Sequence, residues 1–345
     1  MLASQVFKRN FYFWSFYMKK SLIALAVLAA SGASFAQSSV TVYGIADIWF
    51  GSIKAPDEVT GKSVTKTVLN SGGVSTSRWG LKGTEDLGGG LKANFLLEKG
   101  ILLDSGAEKG NGFDRQSYVG FSGGFGEIKL GNVYTAYDDI NGAANSAFDS
   151  ALAPTAHGAA AVSDSYNYSP RNNIYYASPN MGGFSGAFSY GLGENNTPSL
   201  SASSVTSLHV KYEGGPLYVG FGYQNETPQG GGDSAAFKRL NATYDFGVAK
   251  LLAGWAKVDE GQASITDYQI GVDVPLSAAL AVSAGYARSS DNSFLGDGER
   301  TGLGLALSYT MSKRTSVYGG LHRTTTKDNG EADVNIFAVG VRHAF

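Results

Sequence analysis

Apolar and polar residues alternate with a period of two along most of this chain. Over residues 40–50, Val40, Val42, Gly44, Ala46, Ile48 and Phe50 fall on one side, with Thr41, Tyr43 and Asp47 opposite. Leu208, Val210 and Tyr212 oppose His209, Lys211 and Glu213. Tyr268, Ile270, Val272 and Val274 oppose Asp267, Gln269, Gly271 and Asp273. Leu303, Leu305, Leu307 and Tyr309 oppose Gly304, Ala306 and Ser308. The final stretch sets Phe337, Val339, Val341, His343 and Phe345 against Ile336, Ala338, Gly340, Arg342 and Ala344. Successive side chains of a strand point to opposite faces, so each segment predicts a strand with one apolar face and one polar or small face.

The connections alternate in length. Tight ones fall at 85–90, 123–126, 180–183, 214–216, 246–248 and 312–313. Long ones fall at 51–72, 192–204, 227–234, 289–299 and 325–333. Short turns at one end and long loops at the other predict an all-β fold, a transmembrane antiparallel barrel. The residues after position 36 divide into about 16 strands of about 10 residues, with connections of about 9. A soluble β-sandwich would also bury alternating faces, but its second face would not be this polar. Tyr190, Tyr212, Tyr244, Phe246, Tyr286 and Tyr309 sit on apolar faces near turns, as the aromatic girdles of a barrel do. A chain that ends in a strand on Phe345 suits the same architecture.

One connection differs from the rest. Residues 134–170 show no sustained alternation and are rich in alanine, with Asp138, Asp139 and Asp149 among them. Long structureless loops in compact domains are usually functional. The small residues of this connection would let it fold into the lumen without filling it; the alternative is a disordered surface loop.

The front end predicts export. Lys19 and Lys20 precede a short apolar run, residues 21–30, and Ser34-Phe35-Ala36 is a small-x-small cleavage signal. The run is too short to span a bilayer as a helix. Residues 18–36 therefore read as a signal peptide, with Gln37 opening a mature barrel over 37–345. Residues 1–17 are aromatic and unlike a signal's basic start, so they read as an extension from an upstream start codon, with Met18 the true start.

Composition narrows the chemistry. There is no cysteine, which removes disulfides and thiolate metal sites. The first 36 residues hold four cations and no acid, so the remainder carries 23 basic and 29 acidic residues, a net −6. That excludes a broadly basic nucleic-acid surface. His157, His209, His322 and His343 lack metal-ligand spacing. The glycine-rich stretches lack the Lys-Ser/Thr and helix of a phosphate-cradling loop. No serine or aspartate stands in a nucleophile-and-base context. The expectation is a protein that is not an enzyme and needs no cofactor.

Several segments carry a family resemblance. They are VTVYGIAD at 40–47, SRWGLKGTEDLGGGLKA at 77–93, RQSYVGF at 115–121, RNN at 171–173 and GVRHAF at 340–345. Through them the chain resembles the Gram-negative general porins of β-proteobacteria, the Neisseria, Bordetella and Burkholderia type, over essentially all of 37–345. The second segment is the most specific. The resemblance implies a 16-stranded barrel, a homotrimer in outer-membrane lipid, and a third extracellular loop folded into the pore. It also implies wall arginines facing loop acids across a constriction. The arginines that match those wall positions are Arg78, Arg115 and Arg171, and Asp138, Asp139 and Asp149 lie on the loop expected to face them. Alternation places Arg78 with Lys82 on the lumen face, and Arg171 with Asn173 and Tyr175. It places Arg115 with Val119 and Phe121, on the lipid face, unless a bulge or a position above the membrane intervenes. Lys82, Lys92, Glu98 and Lys129 are further candidates for the pore lining.

The expected function is passive diffusion of small hydrophilic solutes and ions through a water-filled outer-membrane channel with a mild anion preference. Two alternatives remain at this stage: a substrate-specific channel, and a barrel that serves as a platform for adhesive surface loops.

Overall fold

The computed structural model describes residues 39–57, 59–290, 298–327 and 333–345. The expected segments 1–17 and 18–36 lie outside them, as do parts of the connections at 289–299 and 325–333. Seventeen strand segments form one antiparallel sheet: β1 (Ser39–Pro56), β2 (Ser63–Ser71), β3 (Arg78–Gly88), β4 (Leu91–Gly100), β5 (Gln116–Gly123), β6 (Gly126–Asn132), β7 (Asn173–Ala177), β8 (Phe184–Leu192), β9 (Ser204–Gly214), β10 (Leu217–Thr227), β11 (Ala235–Asp245), β12 (Lys250–Glu260), β13 (Ala263–Pro275), β14 (Leu280–Ser289), β15 (Arg300–Thr310), β16 (Thr315–Thr326) and β17 (Val334–Ala344). β17 returns to pair with β1, which closes the barrel and leaves the wall no edge.

The 17 segments occupy 16 places in the wall. The upper part of β1 pairs with β2 and its lower part with β3, on the same side. β2 and β3 are thus two halves of one wall strand, broken at residues 72–77. The expected long loop at 51–72 is mostly the β1–β2 hairpin. Much of it is exposed on both faces, so the apolar/polar contrast that marks a strand in sequence is weak there.

The outer face follows the alternation. Leu303, Leu305 and Leu307 point out and are exposed, while Gly302, Gly304 and Ala306 point in and are buried. An apolar exterior with a polar or small interior is the arrangement a bilayer requires of a closed sheet, whose ladders pair the backbone groups of neighbouring strands. At the end with tight turns, Gly88, Gly89 and Gly90 all take positive φ, which explains the glycine run between β3 and β4.

The segment between β6 and β7 runs along the inside of the wall. It holds two 3₁₀ turns, Asp138–Ala144 and Ala147–Asp149, and one short helix, α1 (Ala161–Ser165). Small polar side chains of the wall satisfy its backbone. Ala136 N–H donates to Ser189 Oγ on β8 at 3.2 Å, and Tyr137 N–H to Ser207 Oγ on β9 at 2.7 Å. Asn241 on β11 donates to the Ile140 carbonyl at 2.6 Å. Ala147 N–H donates to Ser283 Oγ on β14, and Val162 N–H to Asp267 Oδ2 on β13 at 2.8 Å. Close approach needs small wall residues: a methyl at Gly285 or Gly271 would overlap Ser146, and one at Gly304 would overlap the Leu152 carbonyl.

The apolar cores therefore lie inside the barrel, between loop and wall. One gathers Tyr137, Val162 and Tyr166 of the loop with Phe237, Val258 and Ile265 of the wall. A second gathers Ala147 and Leu152 with Trp49, Tyr318 and Ile336, and a third sets Val133 and Ala136 against Tyr175 and Ala187. Burying a side chain such as Leu152 or Val162 stabilises the docked loop by about 1.5–3 kcal/mol each.

Candidate pore constriction

The strands β3 and β4 and the residue that precedes β5 carry a cluster of charges on the inner wall. Arg78 opens β3, and Glu98 lies near the end of β4. Arg115 stands one residue before β5, so alternation along that strand does not govern it. Its side chain turns to the lumen side, where Nε donates to Glu98 Oε1 at 2.7 Å. Arg78 Nε lies 3.2 Å from the other carboxylate oxygen, and its Nη1 donates to the Thr76 carbonyl at 3.0 Å. Tyr43 donates to Glu98 Oε2 at 2.8 Å. Glu98 keeps only 7% of its side-chain surface exposed, against 24% for Arg78 and 19% for Arg115. One carboxylate thus holds two guanidinium groups, and the cluster carries a net positive charge. Partial burial strengthens these contacts relative to water.

The loop begins beside this cluster. The Arg115 guanidinium sits 5.7 Å from the Tyr134 ring centroid, a cation–π distance. Four residues on, Asp138 accepts a hydrogen bond from Tyr166. Asp139 accepts from Tyr175 at 2.7 Å, with His209 Nδ1 3.5 Å away. That imidazole nitrogen bonds the Ala136 carbonyl at 2.7 Å. Enclosure by the barrel pushes both Asp138 and Asp139 up to about 6, against the pull of their tyrosine hydrogen bonds. Asp139 touches water, yet protein surrounds it on nearly every side, so desolvation dominates.

Asp149 sits exposed at the loop's apex, where Asn145 donates to its Oδ1 at 2.6 Å. Ala147, Phe148 and Asp149 take φ of 53°, 61° and 49°. Three successive non-glycine residues in the left-handed region cost about 1–2 kcal/mol each, so their surroundings must hold them there.

Arg171 is placed differently from Arg78 and Arg115. It is exposed, precedes β7, and lines an open hollow with Asp114, Asn132 and Tyr168. Tyr168 packs edge-on against Tyr134 at 5.8 Å, and Tyr134 is the ring that Arg115 meets. Asn172 has a φ of 55°, which breaks the alternation between 171 and 173 that set Arg171 beside Asn173.

Lys82 lies 4.9 Å from the Tyr43 ring centroid on the inner wall. Lys129 stands between the rings of Tyr118 and Tyr175, at 5.3 and 5.0 Å, and pairs with Glu127 at 2.9 Å. Lys92 pairs in register with Asp86 and Ser122 near the tight-turn end, away from the arginine cluster. Sequence reasoning missed Lys211, paired with Glu213 at 2.9 Å and acting on Asp139. It also missed the tyrosines 43, 134 and 175 that orient the charged groups. Inward parity marks Tyr43 and Tyr175, but nothing in the sequence shows which charge each would meet. Among the described residues no group of three or more His, Asp or Glu side chains could hold a metal ion.

The arrangement lines the inside of a closed barrel with charged and aromatic groups. Several known proteins are similar to this chain. The sequence pattern of the Gram-negative porin family matches residues 22–329. Outer membrane porin protein 32 of Delftia acidovorans is 36% identical, over 95% of this chain and 100% of that protein. An outer membrane porin of Bordetella pertussis is 27% identical over the same shares. Among solved structures, one described as an anion-selective porin from Comamonas acidovorans superposes with a TM-score of 0.78 at 30% identity, covering 90% of this chain and 100% of that one. OmpT of Vibrio cholerae, in a trimer form, superposes at 0.67 with 16% identity over 89% and 99%, which speaks to the fold alone. On the match across 22–329 and the barrel that carries it, the chain belongs to the Gram-negative porins, channel proteins of the outer membrane.

Proposed function

We propose that this porin passes small hydrophilic solutes and ions by passive diffusion, with a mild preference for anions. The observation that carries the reading is the convergence of Arg78 and Arg115 on a single carboxylate, which leaves the wall cluster net positive. Arg78 and Arg115 form the wall side of the filter, and Asp138, Asp139 and Asp149 form the loop side. Arg171 contributes from the periphery. Cations on a narrow wall raise the local anion concentration. The loop carboxyls oppose them less strongly than three full charges would, because Asp138 and Asp139 are held near 6. A similar porin is itself described as anion-selective. The global net charge of the mature chain is acidic, but charges beyond a Debye length of ~8 Å are screened at physiological salt.

The working form in this reading is a homotrimer of chains that begin at Gln37, each with its own pore. The barrel's apolar exterior supports packing of copies as well as lipid contact. Planar-bilayer recording in a salt gradient tests the selectivity. The expected reversal potential has the sign of anion preference, and conductance appears in three equal steps. A cation-sign potential overturns the selectivity, and solitary steps overturn the trimer. Mass spectrometry of outer-membrane protein tests the start: a chain retaining residues 1–17 overturns it.

A further inference from the structure

We infer that Asp47 is a positioning residue for the constriction: it clamps the broken wall strand to the loop apex and so fixes Asp149 in the pore. The inference rests on the loop forming the constriction.

Asp47 lies on the inner face of β1 and is fully buried. It faces the break between β2 and β3. Its Oδ1 accepts Gly73 N–H at 3.0 Å and the hydroxyl of Tyr318 on β16. Its Oδ2 accepts Val74 N–H at 3.0 Å and Ser75 N–H at 2.7 Å. The backbone of Asp47 is tied in as well: its N–H donates to Ser77 Oγ, and its carbonyl accepts from Ser77 Oγ at 2.7 Å and from Gly72 N–H at 2.8 Å. A carboxylate that accepts three backbone N–H groups and a phenol has its hydrogen-bonding capacity met within the protein, as a buried polar group requires.

The turn that Asp47 shapes reaches the loop. The Gly73 carbonyl accepts Ala151 N–H at 2.7 Å. Val74 packs against the core that contains Ala147 and Leu152, with Phe148 at its edge. Tyr318 belongs to that core as well, so one side chain joins the carboxylate to the apolar seat. The loop residues so held flank Ala147, Phe148 and Asp149, the three left-handed residues. A strained apex relaxes when its restraints go, so the clamp's natural consequence is the position of Asp149. The break in the wall strand thus has a use: residues 72–77 leave the ladder to form the seat for the loop.

The test uses Asp47→Asn, which keeps the size and removes the charge, and Tyr318→Phe, which removes one bond. The chain has no cysteine, so Ser150→Cys gives a single thiol at a site only 8% exposed; because Ser150 Oγ donates to the Ala147 carbonyl and accepts Leu152 N–H, every rate is read against Ser150→Cys alone. In detergent-solubilised trimers, a water-soluble methanethiosulfonate should label this cysteine slowly. In the Asp47→Asn background labelling should accelerate about tenfold or more, as expected for losing hydrogen bonds to a charged group. Tyr318→Phe should accelerate it less. Single channels of Asp47→Asn should flicker between sublevels, and Asp149→Asn should shift the reversal potential less in that background than alone. Unchanged labelling in folded barrels overturns the inference. If Asp47→Asn does not fold, Tyr318→Phe alone decides, and labelling at the unmodified rate again overturns it. If Asp149→Asn has no effect on selectivity even with Asp47 intact, the selectivity reading fails, while the labelling still reads the clamp.

Discussion

Arg115 donates to Glu98 through Nε at 2.7 Å, on the carboxylate oxygen that Arg78 does not face. Glu98 therefore both aligns the two guanidinium groups and cancels one of their charges. Replacing it by glutamine removes the cancellation and keeps a side chain that still fills the site. Anion over cation permeability should rise by about two- to fivefold, as expected for removing one charge in a wet pore. Reversal potentials in a salt gradient measure this. A shift toward cations would mean that Glu98 acts mainly by holding the arginines upright.

The wall cations should not be equivalent. Neutralising Arg78 and Arg115 together by glutamine should move the reversal potential toward cation preference and change conductance little. Arg171→Gln should move it far less, because Arg171 lies in the outer hollow and not on Glu98. Equal shifts from all three would place Arg171 in the filter.

Much of this was legible in the sequence, for identifiable reasons. The barrel and its closing strand follow from alternation, which one apolar and one polar surroundings impose on each strand. The break at residues 72–77 was not legible, since its cause is Asp47, a residue far away in sequence that captures three N–H groups. Arg115 defeated parity because it lies outside β5, and Arg171 because Asn172 turns left-handed before β7. Alternation fixes facing only within a strand, whereas the arginines proposed for the filter stand at or just before strand starts, where it lapses. The loop's direction was suggested by its alanines, but its seat of inward glycines and serines required the register of strands β8 to β16.

Selectivity should depend on pH between about 7 and 5. Asp138 and Asp139 are raised to about 6 by enclosure, so they are mostly ionised above that value and mostly neutral below it. Acidification removes negative charge from the loop and leaves the arginines charged. Anion preference should therefore rise as pH falls through 6. An Asp138→Asn, Asp139→Asn double variant should show the acidic-pH potential already at pH 7.5 and lose most of the dependence. A dependence that survives in the double variant would assign it to other groups.

The bore of the channel should respond in opposite senses to cutting the loop and to lifting it. Deleting residues 141–153 removes the apex with Asp149 and the Leu152 anchor, so the lumen widens and conductance should rise. Gly285→Ala does the reverse. Its new methyl would overlap Ser146, which lies against β13 and β14 where Gly271 and Gly285 leave room. The loop must shift away from the wall, and the direction left open is the lumen. Conductance should fall, and the docked loop should lose about 1–3 kcal/mol, the usual cost of overpacking. Ala306→Gly, a cavity-forming change in the same buried layer, destabilises the loop's seat without pushing it inward, so it should not lower conductance. Should Gly285→Ala and Ala306→Gly change conductance alike, bore would follow loop stability and not the wall's steric profile.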